Sequence, residues 1–193
     1  MTSRSRRWNG NDLDTYADDL ATLVKMFDLK NAIHVGHSRG GGEVALYIGW
    51  QGTKRVAKAV LIGAIPPLML KTASNPGGTP IEAFDQLRNA VVDWSQFWKD
   101  LSPPFYGYNR RGAKISEGVR ESFWLQRMIG RLPSILLLYQ SVFGNAEDLK
   151  KIDVPTLIMH DDDDPQKSKA RRILAAQQRH PVIVIEAVIM CSG

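Results

Sequence analysis

Apolar residues recur at intervals of three and four from Leu13 to Phe27: Leu13, Tyr16, Ala17, Leu20, Leu23, Val24 and Phe27. That spacing predicts a helix over Asp12 to Phe27 with one buried face, capped by Asn11 or Asp12. Asp14, Asp18 and Asp19 suit the positive end of its dipole. The period then changes. Ala32-Ile33-His34-Val35 is a short strand-like run, and Gly41 to Trp50 returns to helical spacing. Val56 to Ala64 is a continuous β-rich apolar run, long enough for a strand buried on both faces. Strand, helix and strand in about thirty residues make a βαβ unit with parallel strands. Pro66-Pro67 ends it, and Asn75 to Pro80 is a turn cluster in which Thr79 is expected to cap a helix and Pro80 to take its first position.

Residues 81 to about 147 carry helical spacing and no strand pattern. Phe84, Leu87, Val91, Trp94, Trp98 and Leu101 form one stripe, and Val119, Phe123, Trp124 and Met128 part of another. Val154 to His160 reads as a third strand. A basic, helix-like stretch follows Pro165, and Val182 to Met190 is a last apolar run suited to a fourth strand. The pattern predicts an α/β fold with a parallel sheet of three or four strands flanked by helices.

Composition changes this picture little. At 193 residues, 44% apolar and 23% charged, the chain suits one globular core. The net charge of +5 comes partly from Arg4, Arg6 and Arg7 and from Lys167, Lys169, Arg171 and Arg172. No nucleic-acid-binding motif accompanies that charge, so solvated ends explain it and no nucleic-acid partner is expected. A lone cysteine, Cys191, leaves no disulfide framework and no zinc pattern. No leader-like segment and no membrane-length apolar run stand out, so the expected location is cytoplasmic, with no membrane partner. Asp161 to Asp164 form an acidic run, but it lacks the spaced ligands and turn glycine of a calcium loop. No metal and no cofactor are expected.

The candidate chemistry lies between the first strand and the second helix. Gly36-His37-Ser38-Arg39-Gly40 is a G-x-S-x-G motif, the sequence form of a nucleophile elbow. Ser38 must occupy a strained strand-to-helix turn, so Gly36 and Gly40 are expected to be forced by lack of room. The helix start behind Ser38 adds partial positive charge where an oxyanion would develop, with the Arg39 N–H as one donor. In a chain this long the pentapeptide arises by chance roughly one time in twenty, so its flanking strand and helix carry much of the inference. Among the histidines, His34 falls within the buried strand, His37 in the variable slot of the elbow, His160 at a strand end and His180 before the last apolar run.

The chain resembles the α/β-hydrolases, and among them the cofactor-free (non-heme) haloperoxidase and arylesterase group. The resemblance is carried by Trp8 to Leu20, by Gly36-His37-Ser38 with Gly40 to Val44, by Gly52 to Ile62, by Pro66 to Leu70 and by Asp148 to Thr156. It implies a partial α/β-hydrolase fold: a core over residues 1–70, a helical cap over 71–148, and the rest of the core with a divergent tail over 149–193. It implies Ser38 as nucleophile and Asp164 as triad acid, the latter by the family's His-Gly-x-x-Asp pattern with Asp161 standing where the family has glycine. His180 is the candidate base. The family's histidine follows the last strand, where this chain has only Cys191, Ser192 and Gly193. The implied substrates are small carboxylic esters, cleaved through an acyl-serine intermediate, or carboxylic acids plus peroxide in a perhydrolase or haloperoxidase reaction without a metal. The strands that precede the elbow in the family, and the second oxyanion donor with them, would lie upstream of Met1. The first strand would then expose an unpaired edge, a route to a homo-oligomer. The alternative is a truncated, catalytically impaired hydrolase or a non-catalytic binding module lacking the triad histidine and one oxyanion donor.

Overall fold

A computed structural model describes residues 12–65, 70–73, 75–106, 112, 114, 116–129 and 147–160, together with the backbone of Val182–Glu186. Helix α1, Leu13–Met26, starts at Asp12, whose Oδ1 accepts the Thr15 N–H at 2.7 Å. Of the two caps the sequence allowed, Asp12 is the one used. Leu13, Ala17 and Val24 form the buried face. Phe27 was expected to share it, but it is the C-cap residue and is exposed, because the chain turns there toward β1.

Strand β1 (Ala32–His37) leads through one residue into α2 (Arg39–Gln51), and β2 (Val56–Ile62) follows. After the second helical unit come α6 (Glu147–Lys150), β3 (Thr156–His160) and β4 (Val182–Glu186). The four strands are all parallel in the order β1-β2-β3-β4, with His34 beside Ala59, Leu61 beside Ile158 and Thr156 beside Val182. β2 and β3 are shorter than the apolar runs that announced them, whereas β1 continues two residues past its run, to His37. β2 stops at Ile62 because Gly63 turns to φ 49°. β3 starts after Pro155, which has no N–H to give a ladder.

The chain divides into two compact units. The first, Met1–Thr79 with Gln140–Ile189, contains the sheet, α1, α2 and α6. Its core joins Val24 of α1, Val44, Ala45 and Ile48 of α2, Ala59 and Leu61 of β2, Leu149 of α6 and Ile158 of β3. Burial of each valine, leucine and isoleucine among them contributes roughly 1.5–3 kcal/mol. Helix α2 meets α6 at Gly49, where a Cβ would lie 2.7 Å from Cβ of the buried Asp148. Lys151 closes that contact by donating to Asp148 Oδ1 at 2.9 Å and to the Gly49 carbonyl at 3.1 Å.

The second unit, Pro80–Tyr139 with Met190–Gly193, contains α3 (Ile81–Ala90), α4 (Trp94–Phe105) and α5 (Glu117–Met128). The stripe read as continuous from Phe84 to Leu101 is cut between α3 and α4. Asp93 caps the new helix by accepting the Gln96 N–H at 3.0 Å. Val91, Trp98 and Leu101 still meet, in a cluster with Phe97 and Phe123 where the Trp98 ring meets both phenylalanines edge-on at 5.0 and 5.7 Å. Helix α3 begins one residue later than expected. Pro80 is extended (ψ 152°) and takes the cap position assigned to Thr79, without a side-chain bond. Pro103 and Pro104 lie inside the last turn of α4. Pro103 cannot donate to the Lys99 carbonyl, and Ser102 Oγ does so instead at 3.0 Å.

Candidate active site

Ser38 is the single residue between β1 and α2, at φ 53° and ψ −120°. A left-handed φ on a residue with a Cβ costs on the order of 1–3 kcal/mol and persists only where the surroundings impose it. Here they do. The Ser38 N–H donates to the Ile62 carbonyl at 2.9 Å, and the Ser38 carbonyl accepts from Gly41 at 3.1 Å and from Ile65 at 2.9 Å. Both peptide groups of the corner are thereby tied to the end of β2. Serine at a helix N-cap ordinarily uses its hydroxyl to bond the first turn. Ser38 makes no such bond, so its half-buried hydroxyl is not consumed in capping.

The room around the corner explains part of the motif. A Cβ on Gly36 would fall into the Gly40 carbonyl and within 2.6 Å of the Gly41 Cα, all backbone. Gly36 is therefore a close approach of strand to helix, as the motif predicts. Gly40 is different: nothing lies within 4 Å of a Cβ built there. The expectation that Gly40 is forced by lack of room is corrected. Its backbone is the surface against which Gly36 packs. One tight position that the motif does not announce is Gly41, whose Cβ would overlap that of Ala64 and come 3.1 Å from its Cα.

Behind the corner, α2 presents a charged group to α1. The Arg39 guanidinium lies 4.3 Å from the centre of the Tyr16 ring, a cation–π distance, and Arg39 Nε is 3.9 Å from Glu43 Oε1. Burial pushes the Arg39 pKa down, opposed by Tyr16, Glu43 and Asp12. Burial likewise pushes the Glu43 carboxyl up, opposed by Arg39. Sequence reasoning singled out Arg39 only for its main-chain N–H, which is the first amide of α2. The i,i+4 pairing with Glu43 was the signal for its side chain.

Ser38 follows the carboxyl end of β1, and His160 ends β3 at the same end of the sheet, two strands away or about 10 Å by strand spacing. Asp164 follows His160 by four residues and lies outside the described residues, as does His180. β4 begins beside Thr156, at the opposite end of the sheet from Ser38. His37 is exposed. Among the described residues, no three histidines, cysteines or carboxylates gather as a metal site would need, and no helix is long and apolar enough to cross a membrane.

His34 is buried, as its strand position predicts, and stacks on Tyr47 with ring centres 4.9 Å apart and planes 20° from parallel. Burial pushes its pKa below the ordinary 6.5. The unfolded chain then takes up the proton more readily than the folded one, so the folded state is fully favoured above about pH 6.5 and loses stability as pH falls toward the depressed value. Replacing His34 with Phe should keep the stacking and remove this slope. The melting temperature of the wild type should fall more steeply than that of H34F between about pH 7 and 5; parallel curves would refute the assignment.

The family model described as "Alpha/beta hydrolase family" matches residues 3–188. A non-heme haloperoxidase of Rhodococcus erythropolis is 54% identical over 163 residues, 81% of this chain and 58% of that protein. A bifunctional esterase/perhydrolase of Acinetobacter calcoaceticus is 50% identical with the same coverage of both chains. Among solved structures, the bromoperoxidase from Bacillus anthracis superposes with a TM-score of 0.84 at 30% identity, over 94% of this chain and 68% of that one. The chain thus spans a little under three fifths of the length of the curated relatives it matches.

Proposed function

Because the chain belongs to the alpha/beta hydrolase family, we propose that it provides the nucleophilic half of a serine hydrolase acting on small carboxylic esters through an acyl-Ser38 intermediate. The observation that carries this reading is Ser38 itself: φ 53° at a strand-to-helix corner, its hydroxyl unused in capping. A serine so placed can attack a carbonyl, and the Arg39 N–H at the start of α2 lies beside the developing oxyanion. Asp164 is assigned as the acid and His180 as the base. Residues 1–70 and 149–193 act as the hydrolase core, and 71–148 as the helical cap. Segregation of α3, α4 and α5 into their own unit supports that division. A cytoplasmic setting belongs to the same proposal, since one cysteine leaves no internal pair for an oxidising compartment to join.

The perhydrolase form of the reaction uses the same acyl-serine, with peroxide in place of water as the acceptor, and needs no metal. It is supported by the names of the Rhodococcus and Acinetobacter relatives. The test is a fluorophosphonate probe followed by peptide mass mapping. Covalent mass on Ser38, lost in Asp164→Ala and His180→Ala, is the expected result. Folded protein that takes up no probe would overturn the hydrolase reading, and labelling unchanged by either alanine would overturn the assignment of that residue.

A further inference from the structure

We propose that the Arg39 side chain is a positioning residue for acyl transfer: it clamps the first turn of α2 to the first turn of α1 and so fixes its own main-chain N–H, the oxyanion donor behind Ser38. This rests on the reading of Ser38 as nucleophile. The strand side of the corner is already secured, because the Ser38 N–H and carbonyl are tied to Ile62 and Ile65, at and just past the end of β2. The donor belongs to the next residue, and its aim depends on how the start of α2 is held.

That start has little of its own to hold it. Between Ser38 and Val44 the chain reads Arg39-Gly40-Gly41-Gly42-Glu43, so only two residues carry side chains. Glycine is the poorest helix former after proline, and three in one turn leave that turn weakly self-supporting. Two of the three are set by lack of room. A Cβ on Gly42 would lie 2.9 Å from the Ile65 carbonyl oxygen, and one on Gly41 would overlap Ala64. Close approach to the chain after β2 thus strips the turn of side chains, and Arg39 is the side chain of that turn which reaches α1.

It does so against the interest of its own helix. A cation at the first helical position opposes the dipole, and no acidic residue stands in the first turn to offset it. The side chain is nonetheless only 16% exposed. Its guanidinium lies 4.3 Å from the centre of the Tyr16 ring, in the first turn of α1, and attracts the carboxylate of the α1 cap, Asp12. Glu43, one turn along α2 at 3.9 Å, balances the charge from the same helix. An arginine here is explained by what it reaches on α1, and side chain and donor N–H share one Cα.

In the attack, Ser38 Oγ adds to the carbonyl carbon, its proton passes to the general base, and the C=O electron pair becomes the oxyanion that the Arg39 N–H meets. A fluorophosphonate follows the same course at phosphorus, with fluoride leaving, so its limiting rate on Ser38 reports the donor without requiring deacylation. Arg39→Met and Tyr16→Leu, each with unchanged circular dichroism, should lower that limiting rate about tenfold, short of the roughly 10²–10³ for removing a donor outright. The probe concentration giving half that rate should stay put, because the donor acts in the transition state. Tyr16→Phe, which keeps the ring face, should recover most of the rate. Arg39→Met combined with Tyr16→Leu should be no slower than either alone, as one shared contact requires. If Arg39→Met does not fold, Arg39→Lys, which keeps the charge without the planar stack, should show a smaller loss in the same rate. Folded Arg39 variants that label at the wild-type limiting rate overturn the proposal. So do losses that add in the double variant, or that appear only in the half-saturating concentration. Tyr16→Leu at the wild-type rate beside a slow Arg39→Met assigns the effect to charge near Ser38 and overturns the clamp equally. Wild type that is not labelled at Ser38 overturns the nucleophile reading as well, whereas labelled wild type with unchanged variants overturns the clamp alone.

Discussion

Ser38→Ala should reduce ester turnover by roughly 10³-fold or more, to the level that binding and the remaining donors sustain without a nucleophile. The protein should stay folded, because alanine retains the Cβ and the Ser38 N–H and carbonyl keep their bonds to Ile62, Gly41 and Ile65. Ser38→Gly separates chemistry from strain. It removes the hydroxyl and relieves the left-handed backbone at φ 53°, so it should be as inactive as the alanine variant yet more stable by about 1 kcal/mol. Urea titration of the three proteins, with p-nitrophenyl acetate hydrolysis alongside, makes the comparison. A Ser38→Gly variant less stable than wild type would mean that the corner is not strained, and turnover surviving in Ser38→Ala would remove Ser38 from the mechanism.

Gly36→Ala carries the largest expected cost in stability. The added methyl meets the Gly40 carbonyl and the Gly41 Cα, and backbone cannot swing aside as a long side chain can. Relief requires β1 and the start of α2 to separate, which breaks the bonds holding Ser38. A loss of about 3–5 kcal/mol is expected, enough to unfold a marginal domain. Gly40→Ala is the control, since open space surrounds that position; it should cost under about 1 kcal/mol. Equal losses at the two glycines would show that the corner is not held by the contact described. Activity should follow the same order, because the hydroxyl of Ser38 is aimed by the backbone that Gly36 lets close.

The elbow was legible because its determinants are contiguous: a strand, five residues and a helix, each with its own local signature. What escaped the sequence depends on residues brought together from far along the chain. Gly41 is tight only because Ala64 lies against it, and Gly49 only because Asp148 does. The break between α3 and α4 was masked by apolar spacing that stays in phase across it. Asp93 held the signal as a cap, and a stripe counted on hydrophobic residues alone passes over it. The start of β3 was placed too early for a related reason: Val154 is buried in the core without belonging to the ladder. The acid and base assigned to Asp164 and His180 lie outside the described residues, so the sequence remains their only support.

The order of strands also has a kinetic consequence. β1, α2 and β2 are consecutive, whereas β3, the next neighbour of β2, enters only after roughly ninety intervening residues, whose closure is an entropic toll that grows as the logarithm of loop length. Prior collapse of the aromatic cluster around Trp98 and Phe123 would shorten the effective tether. Assembly should then proceed as a fast local hairpin of strand, helix and strand, followed by a slower capture of Thr156–His160.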